Sequence, residues 1–168
     1  MGTTEPARRE FTLTWTLDAP PADVFQAWTD PDHLEWFYND EQPAPTVPIE
    51  LDLRVGGVWR QCMVVDESTA YFTGGVYREI VPDEKLVFSW GAAGGWPELD
   101  PDRLDESPLV TVTLTQLGGR TEMTLQVELP ETFAADAERR GWFDHIAAGW
   151  RDTVERLAAE LAAAATTI

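Results

Sequence analysis

A chain of 168 residues, 43% hydrophobic and 25% charged, has the length of one domain and enough apolar material for one core without covalent staples. Thirty acidic residues against twelve basic ones give a formal net charge of −18, which repels phosphate backbones and anionic lipid heads and argues against nucleic-acid or membrane partners. Cys62 is the single cysteine, which excludes an internal disulfide and predicts a reducing, cytoplasmic setting.

Other features narrow the class further. No apolar run approaches the ~20 residues of a spanning helix, and residues 1–9 read as a polar tail without the apolar stretch of a secretory signal. Acids cluster at Asp30, Asp32, Glu35, Asp40 and Glu41, which either keep the surface solvated or offer a docking face to a basic partner. Eight tryptophans are many for this length. Each brings a flat apolar surface and one donor, suited to filling a core or lining a cavity.

In chain order, Phe11, Leu13, Trp15 and Leu17 alternate with threonines, the period of a half-buried strand. Pro20-Pro21 stops it. Asp18 and Asp23 flank a helix start, with Val24, Phe25 and Trp28 on its apolar face. Thr29-Asp30-Pro31 closes this helix and opens a second short one through Leu34, Trp36 and Phe37. Residues 38–48 carry loop chemistry. Ile49, Leu51, Leu53 and Val55 alternate with polar residues and predict a second strand, and Gly56-Gly57 turns into a third from Val58 to about Val65.

A fourth strand runs from Tyr71 to Ile80, with Gly74-Gly75 expected to bend or bulge it. Pro82-Asp83-Glu84 turns into Leu86–Trp90, and 91–108 reads as a long acidic loop. Leu109–Thr115 and Thr121–Leu129 form a hairpin around Gly118-Gly119. Trp142, Ile146, Trp150, Val154, Leu157 and Leu161 step by three or four, one stripe of a long helix that begins near Gly141.

This order predicts an α+β domain over 10–163, with residues 164–168 as a frayed end. A curved antiparallel sheet of six to seven strands wraps one long C-terminal helix, with two short helices after strand one. The space between sheet and helix is the default site.

Five blocks in order resemble the activator-of-heat-shock-protein-ATPase homologue family. They are Val24–Pro31 followed by Leu34 and Trp36; Asp52–Gly57; Gly75–Pro82; Leu86–Trp90; and Gly149-Trp150. The resemblance covers roughly residues 10–162 and implies the birch-pollen-allergen-like, START-related superfamily with its helix-grip fold. That superfamily includes lipid carriers, hormone receptors, aromatic polyketide cyclases and a co-chaperone domain, so the fold leaves function open.

Catalytic motifs are absent from the sequence: there is no nucleophile elbow, phosphate-binding glycine loop or His-Glu-x-x-His helix. Two histidines and one cysteine make a metal site implausible, and no cofactor is predicted. His33 falls in an acidic surface helix, and His145 projects to the polar flank of the last helix. Cys62, near Arg60, reads as a small buried hydrophobe. Arg54 lies outward and reads as a salt-bridge or turn anchor.

The candidate ligand-binding residues are therefore Trp59, Gln61 and Met63 on one parity of strand three, Tyr77 on strand four, Phe88 and Trp90 on strand five, and Trp150 and Thr153 on the last helix. Tyr71 and Thr73 share the parity of Tyr77. Aromatic faces with a few polar tips suit a small hydrophobic or aromatic ligand, and equally a packed core. Two other readings stand beside the binder: a polyketide-cyclase-like or hydrolase-like enzyme in the same cavity, and a co-chaperone-like activator with a chaperone partner. A homodimer through exposed sheet edges is a further expectation.

Overall fold

The computed structural model describes residues 10–30, 33–34, 36, 49–66, 68–93, 107–130, 141 and 143–166. Seven antiparallel strands form one open sheet in the order β1-β7-β6-β5-β4-β3-β2. They are β1 (Glu10–Leu17), β2 (Glu50–Leu51), β3 (Val58–Asp66), β4 (Thr69–Val81), β5 (Lys85–Ala93), β6 (Leu109–Leu117) and β7 (Arg120–Glu128). Among the described residues two helices, α1 (Pro21–Thr29) and α2 (Phe143–Thr166), lie on its inner face.

Period-two patterning sets the two faces. On β7, Thr121, Met123, Leu125 and Val127 are buried while Glu122 and Glu128 are exposed. Register then aligns apolar residues into rows across the sheet. One row runs Leu13, Leu125, Val112, Leu86, Ile80; the next runs Phe11, Val127, Val110, Phe88, Tyr77. On β1 the threonines at 12, 14 and 16 are exposed and Leu17 is buried.

Helix α1 begins where Pro21 at its first turn fixes a helical φ and needs no amide partner. Its buried residues Val24, Phe25, Ala27 and Trp28 face the sheet, and Thr121 Oγ1 donates to the Ala19 carbonyl at 2.7 Å, clipping the β1–α1 connection to β7. Helix α2 buries Ile146, Trp150, Val154 and Leu157, the stripe that its spacing predicts. Trp142 and the side chain of His145 lie outside the described residues.

Two expectations need correction. The alternation from Ile49 to Val55 yields a strand of only two residues, and Leu53 and Val55 are exposed. Beyond Leu51 the chain turns instead: Gly57 N–H donates to the Arg54 carbonyl at 2.8 Å, Gly56 sits at φ +85°, and Arg54 pairs with Asp52. Alternation describes a surface, but a strand also needs a neighbour to bond.

The second correction concerns Gly74-Gly75, where pairing runs without a shift; the irregularities lie at Val64/Asp66 and Tyr77/Glu79. Of the second short helix, His33, Leu34 and Trp36 are described, with His33 and Trp36 in 3-10 geometry; the rest of that expectation lies outside the described residues.

Candidate functional site

The inner face of β3–β5 gathers the residues singled out by sequence. Trp59, Tyr77 and Phe88 are buried with the core, and Trp90 is half-buried against it. Phe88, fully buried, is the hub. Its ring centroid lies 5.5 Å from Trp59, 6.4 Å from Tyr77, 6.3 Å from Trp28 and 6.5 Å from Trp150. Trp90 meets Trp150 edge-on at 5.2 Å, and Trp28 meets Trp36 edge-on at 4.9 Å. These are the tilted and T-shaped arrangements that aromatic quadrupoles favour.

The register adds a feature at the centre of this wall. Trp59 pairs with Gly75, and Gly75 pairs with Trp90. Between the two tryptophans, strand β4 therefore presents backbone and no side chain. A Cβ at Gly75 would fall 2.3 Å from the Ser89 carbonyl oxygen and 3.0 Å from the Phe88 ring, so the position takes glycine only.

Polar tips punctuate the wall, and most are engaged by the protein. Trp59 Nε1–H donates to Gln61 Oε1 at 3.2 Å, and Gln61 Nε2 donates to the Leu34 carbonyl at 3.3 Å. Trp90 Nε1–H donates to Thr73 Oγ1 at 3.3 Å, and that hydroxyl donates to the Gly91 carbonyl at 3.2 Å. Thr153, half-buried on α2, donates its hydroxyl to the Gly149 carbonyl at 2.8 Å, the back-bond usual for threonine in a helix. Tyr77 differs. Its hydroxyl is buried and has no hydrogen-bond partner among the described residues, and burial pushes its pKa well above the ordinary phenol range.

Leu34 and Trp36 border this wall and are held from three directions. Gln61 reaches Leu34 from the sheet, Arg156 Nε donates to the Trp36 carbonyl at 2.9 Å from α2, and Trp36 Nε1–H donates to the Ala27 carbonyl at 2.9 Å in α1. Gln61→Leu keeps the volume and removes both glutamine bonds. The expected loss is about 2 kcal/mol of stability, read as a lower urea midpoint at unchanged m-value.

The remaining sequence candidates sit elsewhere. The side chains of Met63 and Tyr71 lie outside the described residues. Cys62 is buried on the outer parity of β3, where Arg60 stacks 3.9 Å over Phe72. His33 is exposed beside Asp30 at 3.8 Å. Arg54 holds an exposed ion pair with Asp52, as its outward position implies. Sequence reasoning missed Arg156, Trp28 and Trp36 as neighbours of the wall, and it missed Gly75 as its floor. The parity of Tyr71, Thr73 and Tyr77 passes through Gly75, which was the available signal.

Among the described residues no group of three or more histidine, cysteine or carboxylate side chains could hold a metal, and no helix is long and apolar enough to cross a membrane.

The sequence profile of the family described as "Activator of Hsp90 ATPase homolog 1-like protein" matches residues 18–162. The chain belongs to this family. Solved structures agree with that placement. A protein from Rhodobacter sphaeroides is 22% identical, with a TM-score of 0.71 over 95% of this chain and 97% of that one. Mll3558 from Rhizobium loti is 26% identical, with a TM-score of 0.62 over 90% and 96%. DynU16, a protein in the dynemicin biosynthetic locus, is 21% identical, with a TM-score of 0.65 over 92% of this chain and 47% of that one. The likeness to the first and third of these is one of fold, the helix grip that the sheet and α2 of this family member display. No curated protein matches the sequence.

Proposed function

We propose that this family member binds a small hydrophobic or aromatic molecule between α2 and strands β3–β5. The observation that carries the reading is half-buried Trp90, which meets Trp150 of α2 edge-on at 5.2 Å at the rim of the aromatic wall. These two indoles offer flat apolar surfaces to a guest, and half-buried Trp90 brings the wall to solvent. Hydrogen-bond donors at the edges of an apolar wall are what a binding site uses to orient its ligand. Tyr77 is the titratable group in the described part of this wall. Without a described carboxylate or histidine beside it, the wall favours binding over acid–base chemistry.

Trp90→Ala provides the test. Trp90 is half-buried, so its loss costs the fold less than the loss of a central ring. A saturable ligand from a panel of lipids, phenolics and aromatic polyketides should quench wild-type tryptophan emission and raise the melting temperature. The variant should remain folded and bind at least tenfold more weakly, about 1.4 kcal/mol. Unfolding of Trp90→Ala would make Trp90 part of the core. A panel without hits on folded protein would shift the reading to a protein partner. The family's description then supplies the next assay, stimulation of a chaperone ATPase at low salt, where the −18 charge acts at longest range.

A further inference from the structure

The sheet ends in two edge strands of different kinds. At one end β2 has two residues, and β3 behind it carries the irregularity at Val64/Asp66. Short edges and bulges are among the devices that keep a sheet from adding a foreign strand, as are prolines and lysines. At the other end β1 has none of them. It runs eight residues beside β7 without a register shift, from Glu10 to Leu17, and contains no proline, lysine or arginine.

The side chains of β1 repeat this asymmetry. Its outer face carries threonine at 12, 14 and 16, all exposed. On its inner face Phe11, Leu13 and Trp15 pack against the core yet are only half-buried. The residues opposite them on β7, Val127, Leu125 and Met123, are fully buried. Helix α2 makes its main backbone approach to the sheet at β1, and its Leu161 is half-buried there as well. The apolar rows of the inner face thus reach this edge unfinished.

We propose that β1 pairs antiparallel with β1 of a second copy of this chain, joining the two sheets about a twofold axis. A twofold perpendicular to the sheet keeps both inner faces on one side, so inner residues meet inner residues. Two registers then oppose seven pairs within the strand. One sets Leu13 opposite Trp15 and Phe11 opposite Leu17, and it brings Glu10 of each copy against Asp18 of the other. The other centres on Leu13 and sets Phe11 opposite Trp15, Thr12 opposite Thr14 and Glu10 opposite Thr16.

Like charges directly opposite destabilise a ladder, whereas facing aromatics and facing threonines stabilise one. Charge therefore selects the register centred on Leu13. Counting along the sequence, the position opposite Asp18 in that register is Arg8, a complementary charge. The edge lies three strands from β5, so this contact leaves the aromatic wall and the ligand reading untouched.

Sedimentation equilibrium on the full chain, up to about 0.5 mM, tests the pairing. Wild type should be a monomer–dimer mixture. Its dissociation constant should fall about threefold or more as salt rises from about 50 to about 500 mM, because each copy carries −18 and salt screens the repulsion. Thr12→Lys combined with Thr14→Lys sets lysines against each other across the twofold, at side chains that are exposed in the monomer. It should weaken the dimer about tenfold or more, although it lowers the net charge. Thr12→Glu with Thr14→Glu should weaken it too, and an equal mixture of the two variants should restore the wild-type constant. Thr115→Lys, exposed on β6 and opposite Glu122, is the control and should leave the constant within about threefold of wild type.

Amide hydrogen exchange on wild type needs no variant: protection of residues 10–16 should rise with protein concentration, and protection of β2 and β3 should not. Wild type that stays monomeric over the whole range would overturn the proposal. So would a folded lysine variant that dimerises as tightly as wild type, a mixture that restores nothing, or concentration-dependent protection found outside β1.

Discussion

Phe88→Ala lowers the midpoint of thermal unfolding by about 6–20 °C, the largest loss expected from any single side chain in the aromatic wall. Phe88 is fully buried and is the ring on which Trp28, Trp59, Tyr77 and Trp150 converge. Truncation removes its apolar burial and leaves a cavity that four large rings of three elements, α1, the sheet and α2, cannot all collapse to fill. Core Phe→Ala changes cost about 3–5 kcal/mol, and a chain of this length shifts by roughly 2–4 °C per kcal/mol. Phe88→Leu should retain most of the lost stability, since it keeps an apolar side chain in the gap. Differential scanning calorimetry on both variants measures this. A fall of only a few degrees for Phe88→Ala would mean that the rings around it are loosely packed, and the sheet–helix contact would have to be sought elsewhere.

The contrast between Phe88 and Trp90 shows how much of the site could be read from sequence. Strand parity alone places Trp59, Gln61, Thr73, Tyr77, Phe88 and Trp90 on one face, and helical spacing places Trp150 opposite them. Those relations are local, set by periods of two and 3.6. Which ring is the hub and which is the rim depends on register across two hairpins and on how α1 and α2 lean on the sheet, and no local pattern encodes that. The Arg156 bond to the Trp36 carbonyl joins residues 120 apart, beyond the reach of any spacing argument.

The fold divides the same way. Strand β1, the β6–β7 hairpin around Gly118-Gly119 and the buried stripe of α2 follow from periodicity and turn chemistry, which point in one direction there. Ile49–Val55 has an equally clean period of two but ends as a strand after Leu51. A Cβ at Gly57 would lie 2.0 Å from the Asp52 carbonyl oxygen, so the chain there folds tightly back on itself. That backbone contact outweighs the alternation.

Gly74→Ala should be nearly as damaging as Phe88→Ala, although it adds one methyl and removes nothing. The added Cβ would stand 1.8 Å from the Trp59 carbonyl oxygen and 2.7 Å from its carbonyl carbon, atoms of the neighbouring strand that no rotamer change can move. Either β3 and β4 separate at the Arg60–Gly74 pair or the backbone of β4 rotates. Both outcomes break ladder bonds next to the Gly75 step. The expected cost is about 3 kcal/mol or more, above the usual range for an overpacked site because the obstacle is backbone. In a chain of this size that lowers the melting midpoint by roughly 6–12 °C. Gly119→Ala is the control: nothing lies within 4 Å of its Cβ, and its midpoint should stay within a degree or two of wild type. Should Gly74→Ala melt with the control, strands β3 and β4 approach less closely than the structure shows. The Trp59–Gly75–Trp90 alignment within the aromatic wall would then lose its support.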